Sequence, residues 1–357
     1  MQIKRRKTKT IKIGKVKIGS GHPIAVQSMT KTETEDIDAT ISQIHALEIA
    51  GCQIVRVAVK DKKDGRAIRR IRQNIHIPLV ADIHFDYRLA LEAIDSGVDK
   101  IRLNPGNIYK KEQIKDVARA AKQAKIPIRV GLNSGSLRNT NSRSLKAAHM
   151  VGSALDYIKI LESFGFSDIV VSLKSSNIFD TIEAYRKMAK FCDYPFHLGV
   201  TATGLASQGI VKSSIGIGAL LADGLGDTIR VSLTDDSIKE VEAAKLILEA
   251  LNLAHHGLEI ISCPTCGRCQ VDLVKLVKEF QKRINSANCK LSTVNSEPFK
   301  VALMGCMVNG PGEAKEADLG IAFGGNSGIL FKKGKIIKKA KYNQAVDLLV
   351  SEWRRLC

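Results

Sequence analysis

From Pro23 to Leu251 one hydrophobic pattern recurs along the chain. A short run of β-branched and aliphatic residues ends in polar or glycine residues, and a longer stretch of helical period follows it. The short runs predict strands at Pro23–Ser28, Ile54–Val59, Leu79–Ile83, Lys100–Leu103, Pro127–Leu132, Asp168–Leu173, Phe196–Thr201 and Asp227–Leu233. The longer stretches predict amphipathic helices, among them Ala39–Ala50, Arg66–Asn74, Arg88–Ser96, Lys111–Gln123, Ala147–Phe164, Thr181–Cys192 and Ile238–Leu251. Eight strands alternating with helices over this length match an α/β fold of the (β/α)8 TIM-barrel type. An open doubly wound sheet usually has fewer strands and a Gly-rich first turn, which the sequence lacks. Ahead of the repeat, Ile3 to Lys17 alternates like a β-hairpin and is expected to cap the bottom of the barrel.

The texture changes near Leu253–Gly257. Beyond it, Leu258–Ser262 and Phe299–Gly305 predict strands, with a helix at Val271–Ile284 between them. Leu319–Phe323 and Ile329–Lys335 flank the glycine-rich turn Gly324–Gly328, and Gln344–Leu356 predicts a closing helix. This is a smaller α+β domain, long enough for a core of its own. The expected division is a barrel over residues 1–255 and a C-terminal domain over residues 256–357.

Charge alters this picture little and cysteine alters it more. The 357 residues carry 55 Lys+Arg against 36 Asp+Glu, a net charge of +19. That balance admits nucleic acid, an anionic membrane surface or phosphorylated substrates as partners. The lysines are scattered, without the interleaved aromatics of a single-strand-binding surface. No apolar run approaches the roughly 18 residues of a membrane helix, and no apolar stretch follows the basic start, so a cytoplasmic location is expected. Eight cysteines in such a chain argue against a disulfide framework. Six of them (Cys263, Cys266, Cys269, Cys289, Cys306 and Cys357) lie in the C-terminal domain.

Catalysis in such barrels sits at the C-terminal ends of the strands. Those ends carry Arg56, Asp82, His84, Arg102, Asn104, Arg129, Asn133, Lys174 and Ser232. Four cations with amides and a hydroxyl between them suit a multiply charged anion, because guanidinium forks bind phosphate oxygens in pairs and lysine adds a point charge. Asp82 and His84 alternate along one strand, so both face the same way and suit acid/base work or orienting a substrate hydroxyl. The turn Asn104-Pro-Gly-Asn107 is positioned to aim backbone N–H groups at the same mouth.

The thiols of Cys263-Pro-Thr-Cys266 stand at C-x2-C spacing, Cys269 follows at the next x2, and Cys306 comes forty residues after Cys266. Such a loop places two thiolates on one metal or on adjacent corners of a cluster. Iron–sulfur, structural zinc and unligated thiols all remain open on spacing alone. The turn Asn309-Gly-Pro-Gly312 carries Glu313 back toward Cys306, where a carboxylate would complete a three-cysteine set as a harder ligand. A zinc-stabilised basic protein that binds nucleic acid or a partner is the main alternative, and a ferredoxin-like electron carrier is another.

The motifs Val26-Gln-Ser-Met-Thr30, Val80-Ala-Asp-Ile-His-Phe85, Arg102-Leu-Asn-Pro-Gly-Asn107, His197-Leu-Gly-Val-Thr201, Gly226-Asp-Thr-Ile-Arg-Val-Ser-Leu233, Cys263-Pro-Thr-Cys266 and Gly305-Cys-Met-Val-Asn-Gly-Pro-Gly-Glu-Ala314 span nearly the whole chain. Together they resemble the bacterial 4-hydroxy-3-methylbut-2-enyl diphosphate synthases of the methylerythritol phosphate route to isoprenoids. The resemblance implies a [4Fe–4S] cluster on Cys263, Cys266, Cys306 and Glu313, with Cys269 and Cys289 as bystanders. It implies that Arg56, Arg102, Arg129, Asn133, Lys174 and Ser232 hold a cyclic diphosphate, with Asp82, His84 and Glu313 in catalytic roles. A flavodoxin or ferredoxin electron donor is implied, as is a homodimer in which one barrel closes on the other chain's cluster domain; nucleic acid and membrane are not expected partners. One position departs from the family pattern: after Thr201 the family has Glu-Ala-Gly, and this chain has Ala202-Thr-Gly204. That glutamate is the family's candidate proton donor, so either another group such as Asp82, His84 or a bound water protonates the intermediate or the chain is slow or inactive; reduced turnover with substrate binding retained is the expectation.

Overall fold

The computed structural model describes residues 3–136, 146–254, 258–285, 299–307, 312 and 314–356. The chain divides into two compact units, Met1–Ala254 and His255–Cys357.

The first unit opens with a hairpin of β1 (Ile11–Ile13) and β2 (Val16–Ile18). The pairing is shorter than the alternation from Ile3 predicts, because the Arg6 and Lys9 backbone N–H groups go to the Gly224 and Asp193 carbonyls, while the Arg5 and Arg6 side chains reach Asp227, the Cys192 and Tyr194 carbonyls and the Phe196 ring. Ile11, Ile13 and Ile18 pack on Ala25, Ile54, Val80 and Val170, which lie at the N-terminal ends of barrel strands. The hairpin therefore plugs the bottom of the barrel.

Eight parallel strands form the barrel wall: β3 (Ala25–Met29), β4 (Ile54–Val59), β5 (Leu79–Ile83), β6 (Lys100–Leu103), β7 (Ile128–Asn133), β8 (Ile169–Lys174), β9 (His197–Leu198) and β10 (Thr228–Ile229). They pair in order from β3 to β8, and β10 lies between β9 and β3. A parallel bridge from Val171 to Phe196 closes the ring between β8 and β9. Helices α1 (Ile37–Ile49), α2 (Lys62–Gln73), α3 (Tyr87–Asp95), α4 (Lys111–Ala124), α5 (Lys146–Ser163), α6 (Ile178–Met188), α7 (Ala206–Ala222) and α8 (Ser237–Ala250) follow the strands in turn. Five of these helices start on a capping side chain, from Asp36, Asp61, Asp86, Asn177 or Asp236, that accepts an otherwise unpaired N–H of the first turn.

Two elements differ from the sequence-based expectation. The last two strands are two residues each, shorter than the β-branched runs Phe196–Thr201 and Asp227–Leu233 predict. Helix α7 lies where no helix was predicted, since Gly209, Gly216 and Gly218 weaken its helical signal. Two of those glycines are packing devices: a Cβ would fall 2.5 Å from Leu233 at position 209 and 2.6 Å from Val200 at position 216.

The second unit is a five-stranded sheet in sequence order: β11 (Leu258–Ser262), β12 (Phe299–Met304), β13 (Leu319–Gly324), β14 (Ser327–Lys332) and β15 (Lys335–Lys341). The first three strands run parallel and the last three antiparallel. Helices α9 (Leu273–Asn285) and α10 (Ala345–Arg354) supply Phe280, Leu349 and Trp353 to a core with Leu303, Ile321 and Phe323. Strand β15 was not predicted: its Lys-Ile-Ile-Lys-Lys-Ala-Lys sequence buries Ala340 alone, and lysines of this kind keep an exposed edge from pairing with other chains.

Candidate active site

The barrel interior changes character from bottom to top. Above the isoleucine plug, Lys100 is fully buried with Nζ 3.3 Å from Gln27 Oε1. Above that, Asp82, Arg102 and Arg129 lie side by side across β5, β6 and β7, each the in-register partner of its neighbour. Arg56 on β4, Lys174 at the end of β8 and Arg230 just past β10 complete the ring. These six charged residues line one polar cavity of about 80 Å3, together with Asn133, Ser172, Thr201 and Ser232.

Five cations thus share one lining carboxylate. Asp82 receives Arg102 Nη1 at 3.0 Å on one oxygen and faces Arg56 Nη1 at 3.6 Å with the other. Arg102 also donates to the Gly131 carbonyl at 2.7 Å. A Cβ at Gly131 would stand 2.7 Å from Arg102 Nε, and one at Gly199 would stand 2.6 Å from Lys174 Nζ. The glycines make room for the cations. Lys174 Nζ lies 3.4 Å from His197 Nε2, and His197 Nδ1 is 2.8 Å from the Thr228 hydroxyl. Arg230 leans on buried Glu240, which also takes the Ser28 hydroxyl and the Leu233 N–H.

Arg129 is 1% exposed, yet its Nε and Nη1 have no hydrogen-bond partner. Buried donors are nearly always paired, so these two mark a place built to receive acceptor oxygens. Burial, then repulsion from Arg56 and Arg102, holds the Arg129 guanidinium well below its usual range. The same causes depress Lys174, where burial leads and Arg129 and Arg56 follow. Burial brings Arg56 down to about 10 despite Asp82. For Asp82 burial alone would raise the carboxyl, but Arg56, Arg102 and Arg129 outweigh it and hold it well below the carboxylate range. Asp82 therefore stays ionised and acts as a brace for two arginines.

His84 lies just past β5, with Nε2 4.0 Å from Asp82 Oδ2 and over a third of its side chain exposed. Asn104 is spent on its own turn, where Oδ1 takes the Gly106 N–H and the Ser136 hydroxyl. Ala202 is exposed in the loop after β9, next to cavity-lining Thr201, at φ 53°. Reading only C-terminal strand ends overlooked Arg230, Lys100, His197, Gly131 and Gly199.

In the second unit the parallel pair β11 and β12 sets Ser262 beside Leu303, so the chain leaves both strands at one edge of the sheet. The Gly305 N–H donates to Cys263 Sγ at 3.3 Å. A Cβ on Gly305 would stand 2.3 Å from Cys269 Sγ and 3.5 Å from Cys263 Sγ. Two sulfurs thus gather against the residue that precedes Cys306. The turn between them is closed by a 2.8 Å bond from the Cys269 N–H to the Cys266 carbonyl. Cys266 is exposed, and hydrogen bonds from the Arg268 backbone and side chain lower its thiol. The Cys269 thiol donates to the Val271 carbonyl at 3.3 Å. Soft donors on a turn with a backbone N–H aimed at sulfur suit zinc or an iron–sulfur cluster. Glu313, Cys289, Cys357 and the turn at 308–311 lie outside the described residues.

Comparison with known proteins assigns both units. A model of the GcpE TIM-barrel domain matches residues 8–245, and one of the GcpE protein C-terminal domain matches residues 259–355. Relatives include the 4-hydroxy-3-methylbut-2-en-1-yl diphosphate synthase (flavodoxin) of Caldicellulosiruptor saccharolyticus, 54% identical over 97% of this chain and 98% of that protein. The enzyme of the same name from Thermodesulfovibrio yellowstonii is 52% identical over 99% of this chain and 100% of its own. Among solved structures, dihydropteroate synthase from Stenotrophomonas maltophilia superposes with a TM-score of 0.51 at 13% identity, covering 66% of this chain and 96% of that one, a likeness of fold alone. Nothing in these matches supports the zinc-stabilised, nucleic-acid-binding alternative. Among the described residues no helix is long and apolar enough to cross a membrane.

Proposed function

The chain belongs to the GcpE family of 4-hydroxy-3-methylbut-2-en-1-yl diphosphate synthases, and from that premise we propose how its residues divide the work. The substrate is 2-C-methyl-D-erythritol 2,4-cyclodiphosphate. Two electrons and a proton enter, the ring opens, a hydroxyl takes the proton and leaves as water, and the product is the linear allylic diphosphate. The observation that carries this reading is the ring of five cations around one carboxylate, with two buried Arg129 donors unpaired.

Arg56, Arg102, Arg129 and Lys174 hold the diphosphate, while Asn133 and Ser232 supply an amide and a hydroxyl to its remaining oxygens. Asp82 fixes the Arg56 and Arg102 forks and does not donate protons. His84, partly exposed at the mouth and close to Asp82, is the side chain placed to orient a substrate hydroxyl or act on it as acid or base. Glu313 with Cys263, Cys266 and Cys306 forms the ligand set for a [4Fe–4S] cluster, and Cys269 stands outside it because its thiol is already donated to a carbonyl. When bound, that cluster supplies the electrons one at a time from reduced flavodoxin. The Gly305 N–H at Cys263 Sγ tunes that sulfur, since hydrogen bonds to cluster sulfurs set potential. The working form is a homodimer.

Anaerobically reconstituted protein tests the proposal directly. Expected are about four irons per chain, a dimer by sedimentation, and conversion of the cyclodiphosphate with reduced flavodoxin. Colourless protein holding one zinc and leaving the cyclodiphosphate unbound would overturn it. Ala202 gives a second handle: Ala202→Glu restores a proton donor beside the cavity and should raise kcat well beyond any change in KM. An unchanged or lower rate would remove Ala202 as the cause of slow turnover.

A further inference from the structure

On the outer wall of the barrel, at its N-terminal end, the last turn of α1 meets the loop that leads into β5. One ring nitrogen each from His45 and His76 and one oxygen of Glu48 lie there within 4.8 Å of one another. His45 and Glu48 are i and i+3 on α1 and so share a helix face. None of the three belongs to the anion cavity or to the cysteine set.

The donors are held in place by bonds of their own. Glu48 Oε1 accepts the backbone N–H groups of His76 at 2.6 Å and Ile77 at 3.0 Å. That leaves Oε2, which stands 3.0 Å from His76 Nδ1. His45 Nε2 donates to the Asn74 carbonyl at 2.8 Å, which leaves the lone pair on its other ring nitrogen. The two rings are tilted by 30° with centroids 5.8 Å apart. Burial tends to raise the Glu48 carboxyl, but hydrogen bonds from the His76 side chain and backbone outweigh it and keep it ionised. Orientation of imidazole and carboxylate by backbone groups is the arrangement that supports ligands in metal sites.

We propose that His45, Glu48 and His76 bind one divalent transition-metal ion of the zinc type, with solvent completing the coordination. Two imidazoles and one carboxylate suit zinc or nickel, whereas calcium and magnesium take oxygen donors. Metal–donor bonds of about 2.0–2.2 Å put neighbouring ligands of a tetrahedral ion roughly 3.3 Å apart. The His76–Glu48 pair already stands at 3.0 Å, and the exposed His76 ring is free to turn as the third donor closes in. A metal between Glu48 and His76 replaces the proton they share. It also ties α1 to the loop before β5, closing the chain between positions 45 and 76 in the folded state only, so it stabilises the barrel by mass action.

The test titrates Zn2+ into the cluster-loaded enzyme under anaerobic conditions and compares wild type with His76→Gln and Glu48→Gln. Glu48→Gln keeps a carbonyl oxygen for the two backbone N–H groups, so the metal-free fold and its Tm stay close to wild type. Expected is one fewer zinc per chain in each variant, a site weakened roughly 10- to 100-fold or more, and a zinc-induced rise in Tm in wild type alone. Equal zinc content and equal Tm shifts in wild type and both variants would overturn the proposal. So would a zinc-soaked crystal with no anomalous density between the three side chains.

Discussion

Replacing Arg129 by methionine separates what the cavity does for the fold from what it does for its ligand. In the free protein the guanidinium is buried, two of its nitrogens are unpaired, and its neighbours Arg56 and Arg102 repel it more than Asp82 attracts it. At an effective dielectric of about 20, like charges within one small cavity repel by about 2–4 kcal/mol. Replacing a buried ion by an apolar chain of similar volume is often neutral or stabilising by about 1–4 kcal/mol. Arg129→Met should therefore leave the apo Tm unchanged or raise it by a few degrees, at roughly 2–4 °C per kcal/mol for a unit of this size. The ligand tells the opposite story. A hydrogen bond to a charged group contributes about 1.5–3 kcal/mol, so two lost donors amount to about 3–6 kcal/mol, or roughly 100- to 10,000-fold in Kd. Thermal unfolding followed by circular dichroism and calorimetric titration with the cyclodiphosphate, without reductant so that no turnover occurs, measure the two effects independently. If the variant melts several degrees lower while binding stays within threefold, Arg129 is a structural residue and the reasoning fails.

Three further substitutions probe the same ring. Asp82→Asn leaves Arg56 and Arg102 without their carboxylate and should destabilise by about 3–5 kcal/mol. Because the Asp82 carboxyl is depressed in the fold, that stabilisation is present above its unfolded value near 4 and is lost as pH falls through the folded value; wild-type and variant unfolding curves should converge in acid, and a constant gap would refute the pairing. Lys174 is depressed by burial and by Arg129 and Arg56, so an incoming diphosphate restores its charge and binding should take up protons wherever the free lysine is neutral. Titrations in buffers of different ionisation enthalpy read that uptake; it should vanish in Lys174→Met, and its absence in wild type would sink the claim. Gly131→Ala puts a methyl 2.7 Å from Arg102 Nε and should weaken diphosphate binding by about tenfold through one displaced donor, whereas unaltered affinity would show that Arg102 has room to spare.

Much of the barrel was legible because parallel strands buried on both faces read as β-branched runs, and because aspartate and asparagine mark the helix starts. The elements missed are those whose packing contradicts their local signal. Helix α7 carries glycines where Val200 and Leu233 press on it, and β15 carries lysines because it is an edge. The same logic explains what was overlooked at the mouth. Arg230 was hidden because pairing stops at Ile229, while the β-branched signal runs on to Leu233 and points to Ser232 as the strand end. Lys100 and His197 occupy strand starts, where chemistry is not expected, yet both are fully buried. Gly131 and Gly199 have no side chain to notice; their role shows only in the atoms their absent Cβ would strike.

The two ends of the barrel depend on each other. A TIM-barrel interior is normally filled by layers of branched apolar side chains, but here charged side chains occupy it from Lys100 and Arg129 upward. Apolar packing inside the ring is left to the bottom, where Ile11, Ile13 and Ile18 seal Ile54, Val80 and Val170. The remaining apolar burial lies outside the ring, between strands and helices. The hairpin plug therefore does more than add contacts. It shuts water out from below, so that the cations stand in a low-dielectric well open only at the mouth. In such a well a preorganised charge attracts an anion far more strongly than in water, and it needs no rearrangement when the ligand arrives. Asp82 offsets one cation and Glu240 another, and Lys174 is depressed, so the ring still holds an excess of positive charge for the incoming group to offset. A multiply charged anion offsets more of that excess than a singly charged one, which makes the plugged, overcharged barrel a selector for multiply charged ligands.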